Sequence, residues 1–423
     1  MPVDTLDPAP SVVAAKPWRV ATLAGIASYL DAGTIVAVSA SLSLWQTMFH
    51  MSAWEVGFLS GALTVCIGIG AVLGGRIGDR WGRKRVYSID LLLYAFGLLW
   101  IIFAVGTPML FVAAIVVGLA VGADVPTSLA LVGEMSPAEK RGRLVAFTQV
   151  LWSLGPLVVI MLVLLATGLG DLMPRVVFGH LFVVAIVTWF LRRRIAESSA
   201  WKRALRGTGF DRSRLKALFT RPLLRGSLFT IAFYSLLTIG TNFYGSFGLY
   251  ALEKVGGLSA SSALAASLIA VPVIAVTLLS IMRAMDTRAR RPMFFVGAVI
   301  QVLSWVLLLI VPVSAPTLIV AFVLYGLGTT MAGEAHYKIW SQEIFPTALR
   351  SSALGLSFGT ARILSAIVLI FIPTLLLTGF TALVVLMIVV TLLSGLLGII
   401  FMPHKQGESI EMIDLEFTAP SRL

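Results

Sequence analysis

Charged residues make up only 12% of the 423 positions, against 58% hydrophobic ones. So little polar surface cannot cover a water-soluble body of this length, which excludes a soluble globular fold. Cysteine occurs once, at Cys66, so an intrachain disulfide and a thiolate metal cluster are both excluded. Cys66 falls inside an apolar run and reads as packing. The two-residue alternation of a membrane β-barrel is lacking, and runs such as FVAAIVVGLAVG at 111–122 suit helices. A phosphate-binding GxxxxGK[ST] loop is missing, which removes ATP as a driving force. No HExxH pair is present either, and the one Gly-x-Ser-x-Gly spacing, GLSFG at 355–359, lies inside an apolar helical stretch and not at a strand-to-helix elbow, so an intramembrane hydrolase has no motif behind it. No cofactor- or metal-binding pattern appears.

What is present is a series of apolar stretches near the roughly 20-residue length of a helical membrane span. Twelve can be marked, the first over 20–48 and the last over 380–402. The reading is an all-α membrane protein of twelve transmembrane helices in two pseudo-symmetric six-helix bundles. The expected divisions are an N-terminal arm (1–19), a first bundle (20–191), a basic linker (192–225), a second bundle (226–402) and a tail (403–423). The apolar stretch after Arg19 is much longer than a signal-peptide core and reads as a retained first helix.

A net charge of +12 raises the possibility of nucleic acid, and the placement of the cations argues against it. The linker carries 11 of the 32 Lys and Arg, and most of the rest lie in the arm, the tail and the loops on the linker's side. Loops on the other face hold only Arg175 and Lys254. By the positive-inside bias both termini and the linker face the cytoplasm of a plasma (inner) membrane, and the bilayer is the partner. Lys338 and Arg362 alone fall inside apolar helices.

Two charged patterns occur once in each half. Glu-x-x-Pro-x-x-x-Arg appears as Glu134-Pro137-Arg141 and as Glu343-Pro346-Arg350. Asp79, Arg83 and Lys84 in GGRIGDRWGRKR recur as Asp286, Arg290 and Arg291 in LSIMRAMDTRARR. Each Asp sits where the second helix of its half meets the cytoplasm, and can face the positive end of another helix. Each Glu ends a helix near the Arg-rich turn of its own half, so charge-assisted hydrogen bonds would latch those ends. A single occurrence would read as helix-end punctuation. Repetition in both halves instead fits the duplicated bundles of alternating-access carriers.

At these residues the chain resembles the major facilitator superfamily, and within it the sugar porter family. GGRIGDRWGRKR is similar to the superfamily signature between the second and third helices, while GEMSPAEKRGR and SQEIFPTALR resemble the family's Glu-x-x-Pro-x-x-x-Arg elements. ESSAW, from Glu197, resembles the family's PESPRW, and PHKQGESIEMI from Pro403 its C-terminal PETKGKSLEEI. The resemblance implies a cytoplasmic gate built from Asp79, Arg83, Glu134, Arg141, Glu197, Asp286, Arg290, Glu343 and Arg350, and a monomer.

Ionisable residues inside spans mark a pathway or a coupling site by default. Asp31, Asp124, Glu334, His336, Lys338 and Arg362 are such residues here. Asp31 matches a helix-one Asp that serves as a protonation site in proton-coupled relatives, but the helix-four Arg that usually partners it is Ala114. Were Asp31 and Asp124 to approach one another, repulsion and desolvation would favour a proton on one of them. Packing carboxylates held by Ser28 or Thr127 are the plainer reading. Gln149 matches the family's sugar-binding Gln, whose amide suits neighbouring hydroxyls. Asn242 and Tyr244 resemble a helix-seven Asn followed by aromatics. Lys338 stands where a cavity Trp is expected. Glu334 and Lys338, four apart, share one helix face and can pair. If Glu334 turns elsewhere, Lys338 with Arg362 can bind a carboxylate or phosphate.

The functional expectation is a secondary transporter moving a small polar solute, a sugar, inositol or related polyol, with a proton. A carrier of a small organic anion is the alternative. A non-transporting nutrient sensor of the same fold is a third reading, weakened by a tail too short for a signalling domain.

Overall fold

The computed structural model describes residues 17–208, 213–403 and 407–418. Most of the expected arm (1–16), linker residues 209–212 and tail residues 404–406 and 419–423 lie outside the described residues. The first half contains α1 (Pro17–Met48), α2 (Ala53–Trp81), α3 (Arg83–Ile102), α4 (Thr107–Met135), α5 (Arg141–Ala166) and α6 (Met173–Arg192). The linker forms α7 (Ser199–Thr208) and α8 (Ser213–Ala217). The second half contains α9 (Leu223–Lys254), α10 (Ala260–Leu268), α11 (Ala270–Ala284), α12 (Arg290–Ile310), α13 (Ala315–Ala332), α14 (Glu334–Ile344), α15 (Arg350–Thr378) and α16 (Phe380–Phe401), and the tail adds α17 (Ile410–Thr418).

Among the described residues, 11 segments are long and apolar enough to cross a membrane, and the 55-residue one, Ala138–Arg192, contains both α5 and α6. Counting those two helices separately is consistent with the expected twelve. Large apolar side chains such as Phe96, Phe190, Leu303 and Ile400 are exposed on the outer faces. In water so much exposed apolar surface would drive association, whereas acyl chains cover it without cost.

Two expected spans are interrupted. The eighth divides at Ile269 into α10 and α11, and the tenth divides at Gly333, with φ −116° and ψ −138°, into α13 and α14. At that break a Cβ would lie 2.1 Å from the Thr329 carbonyl oxygen, so the chain can pass there only as glycine. The kink restarts the helix at Glu334 and re-aims the residues that follow.

Glycine also decides how closely the halves approach. A Cβ on Gly355 of α15 would lie 2.2 Å from the Ala71 carbonyl oxygen of α2, and one on Gly75 would lie 2.2 Å from that of Ser351. Backbone therefore meets backbone, the usual device of helix crossings in lipid, where no hydrophobic drive pushes helices together. Alongside this seam, α5 packs against α11 and α14, and α4 against α15.

Candidate functional site

The repeated motifs converge on the basic face, where the halves are tied by exchanged helix caps. Asp79, near the end of α2, accepts hydrogen bonds from the amides of Ser351 (3.3 Å) and Ser352 (2.7 Å) in the first turn of α15. Asp286 does the reciprocal thing for α5, accepting from Gly142 (2.7 Å) and Arg143 (2.9 Å). Each carboxylate thus sits on the positive end of a helix from the opposite half, an arrangement worth about 0.3–2 kcal/mol apiece. Burial nevertheless holds the Asp286 carboxyl above its ordinary range, against the lowering effect of the two amides and of Arg143 and Arg290.

Within each half the expected latch is present. Arg83 lies 2.8 Å from Asp79 and 3.0 Å from Glu134, and Arg290 makes a two-pronged contact with Glu343 at 2.6 and 2.9 Å. Arg83 also donates to the Thr347 carbonyl of the other half at 2.6 Å, and Arg350 comes within 3.8 Å of Glu134. Arg141 departs from this symmetry and donates to the backbone carbonyl of Glu408 in the tail at 3.0 Å. Glu197 accepts from the Lys84 amide at 3.0 Å and so caps α3. Gly82 makes room for it: its φ is +102°, and a Cβ would lie 2.4 Å from the Glu197 carboxylate. Asp414 of α17 accepts from the Thr347 amide at 2.7 Å, which pins the tail across the same junction. Arg83, Glu134 and Arg350 have no side-chain exposure, so this face is shut.

Deeper in the membrane a second set of polar contacts crosses between the halves. Asp31 of α1 meets Arg362 of α15 at 3.2 Å and accepts from the Trp152 indole of α5 at 3.3 Å. Lys338 of α14 lies 3.1 Å from Glu334 and donates to the Gln149 amide oxygen of α5 at 2.7 Å. The Gln149 amide nitrogen in turn is 3.5 Å from Glu334. Two acids and two cations therefore face each other with no formal charge left over. The Arg362 guanidinium also lies 4.9 Å over the Phe358 ring.

Several expected residues do not join this network. Asp31 and Asp124 do not share a site: Asp124 points into the first bundle, where Arg192 of α6 holds it at 2.8 Å. Lys338 and Arg362 do not combine as an open anion site, because each is held by a carboxylate and the restart at Gly333 places Glu334 one turn from Lys338 on the same face. Asn242 donates to Ser365 at 2.7 Å, within the second half. Two residues on, about 200° around the helix, Tyr244 packs on Phe322 and Tyr325 in an apolar cluster. His336 is buried edge-on against Phe294. A groove of about 620 Å³ lies on the basic face beside Arg80, Lys84 and Trp201, remote from the central contacts.

Sequence reasoning missed four residues: Trp152, Asp414, Asp90 and Arg192. Arg192 is the first of three consecutive arginines and reads as linker, yet it is fully buried. Asp90 stands among apolar residues in SIDLLLY, and the rule that intramembrane acids are functional suspects applies to it as much as to Asp124.

Comparison with known proteins agrees with this architecture. The chain is 34% identical to the minor myo-inositol transporter IolF of Bacillus subtilis (strain 168), over 93% of this chain and 92% of that one. It is 28% identical to a probable 4-methylmuconolactone transporter of Cupriavidus pinatubonensis, over 74% and 73%. The structure of the proton:xylose symporter XylE bound to 6-bromo-6-deoxy-D-glucose superposes with a TM-score of 0.77 at 18% identity, covering 95% of this chain and 98% of that one, so the fold is shared. The family match runs over residues 21–331. With two bundles joined by exchanged caps and a full-length relative above 30% identity, the chain belongs to the Major Facilitator Superfamily.

Proposed function

We propose that the protein carries a neutral polyol, an inositol or a sugar, across the plasma membrane by alternating access in symport with a proton. The observation that carries this reading is the internal charge balance of the central network. Asp31 with Arg362, and Glu334 with Lys338, leave no net charge to attract an anion. Gln149 and Trp152 reach into the same region from α5. A carboxamide beside charged donors and acceptors suits adjacent hydroxyls, and an indole offers an apolar face to a ring. The full-length likeness to IolF supports the polyol, and the gate motifs support assignment to the sugar porters. Both termini lie on the cytoplasmic side in this reading, and the protein works as a monomer.

Asp31 is the coupling residue in this scheme. Among the described residues it is the one acid of the first half paired with a cation of the second at this depth, and its protonation would release Arg362 and loosen the contact between halves. An organic anion is the second reading, supported by the likeness to the probable 4-methylmuconolactone transporter. The test is uptake of labelled myo-inositol into proteoliposomes with and without an inward proton gradient. Faster uptake with the gradient is expected, and equal rates sink the coupling. Absent inositol uptake, with saturable uptake of an aromatic carboxylate, sinks the polyol. Asp31→Asn should lose gradient-driven accumulation and keep exchange.

A further inference from the structure

The interior of the first bundle holds charges that neither the gate nor the central network uses. Arg192, at the end of α6, donates to Asp124 of α4 at 2.8 Å and to the carbonyls of Tyr87 (3.2 Å) and Leu23 (3.0 Å). Its guanidinium lies 3.5 Å over the Tyr87 ring. Asp124 is satisfied at both oxygens, since the Ser128 hydroxyl donates to the other. Asp90 of α3 is not: its Oδ1 accepts from the Leu91 amide at 2.6 Å and stands 3.9 Å from Arg192, while its Oδ2 is buried without a partner.

Two carboxylates therefore face one guanidinium among residues no more than 4% exposed. A net charge left in such a place is costly and must be neutralised by a bound cation or by a proton. The adjoining cavity has a volume of about 10 Å³, room for about one water molecule. Its walls besides the two acids are Ala27, Leu30, Leu91, Ala120, Val121 and Tyr94. That lining supplies too few oxygens for a metal cation, which requires about six. From α1 the cluster meets only apolar side chains and the Leu23 carbonyl, from α4 Asp124 and Ser128, and from α6 Arg192. Among the described residues no second cation faces it.

We propose that Asp90 is a proton-binding site of the first bundle, carrying a proton on Oδ2 at neutral pH while Asp124 serves Arg192 as the ionised partner. The site does not depend on Asp31 or on the identity of the solute. It is nevertheless connected to the centre: Tyr94, one turn after Asp90, shares a hydrogen bond of 2.7 Å with Thr34 of α1, three residues beyond Asp31.

Infrared difference spectroscopy of the purified full-length protein tests the proposal. At neutral pH, subtraction of the Asp90→Asn spectrum from that of the wild type should leave one protonated-carboxyl C=O band that shifts in D2O, and Asp31→Asn should retain that band. Identical spectra overturn the proposal. A parallel melting experiment reads the charge: Asn imitates a neutral acid, so Asp90→Asn should melt near the wild type, whereas Asp124→Asn strips Arg192 of its counter-ion and should melt well below. Equal losses would make Asp90 an ionised partner and overturn the assignment. If Asp90→Asn does not yield folded protein, Asp90→Glu retains the acid and should displace the band, and an undisplaced band overturns it.

Discussion

Arg83→Met tests whether the buried charges on the basic face hold it closed. The side chain has no solvent exposure and connects Asp79, Glu134 and the Thr347 carbonyl. Methionine keeps much of the volume but leaves two buried carboxylates without their shared cation: Asp79 retains the Ser351 and Ser352 amides, and Glu134 is left with Arg350 at 3.8 Å. Removing one member of a buried ion pair costs about 3–5 kcal/mol. In the open state water solvates the same carboxylates, so the penalty falls on the closed state. At about 1.4 kcal/mol per factor of ten, the open population should rise by at least about two decades, until it dominates. A thiol reporter can follow this, because Cys66 is the one native cysteine and is readily replaced by serine. Gln342 is buried at the junction, its amide packed against Gly133 of the other half. In a Cys66→Ser, Gln342→Cys background, maleimide labelling proceeds through the open state. Arg83→Met should therefore accelerate it about 100-fold or more. An unchanged labelling rate in folded protein would show that the ion pairs do not set the equilibrium and would refute the reasoning.

Three further outcomes follow from the same geometry. Gly355→Val puts a side chain where Cβ alone would lie 2.2 Å from the Ala71 carbonyl, so α2 and α15 must separate and the Gln342→Cys reporter should label faster; wild-type labelling would refute the close seam. Glu334→Gln/Lys338→Gln should regain polyol uptake that Lys338→Gln alone loses, because the single change strands Glu334; a double variant no better than the single would make Lys338 a direct solute contact. Ser52→Ala breaks the capping box with Glu55 at the start of α2 and should cost about 1 kcal/mol, read as a lowered melting temperature with uptake kinetics unchanged.

How much of this was legible beforehand depends on whether a feature is local or paired across the fold. The latches of Arg83 with Glu134 and of Arg290 with Glu343 could be expected, because repetition in both halves marks them and charge complementarity names the partners. That Asp79 and Asp286 would face a helix end was likewise readable from an acid before a tight turn, though not that each would cap a helix of the opposite half. The pairing of Asp31 with Arg362 was out of reach. The two residues lie 331 positions apart, and only the crossing of α1, α5 and α15 brings them together. Gly333 was overlooked for a different reason: glycine is common in membrane helices, and hydropathy does not register a break that leaves the apolar run intact. Its consequence is chemical, since a straight tenth span would not begin a helix at Glu334 and would not direct Lys338 to Gln149. Arg192 shows the limit of counting charges by loop. The positive-inside rule concerns the basic face as a whole, whereas the burial of the first of three consecutive arginines depends on Asp124, and Asp124 on a cation that composition alone assigns to the linker.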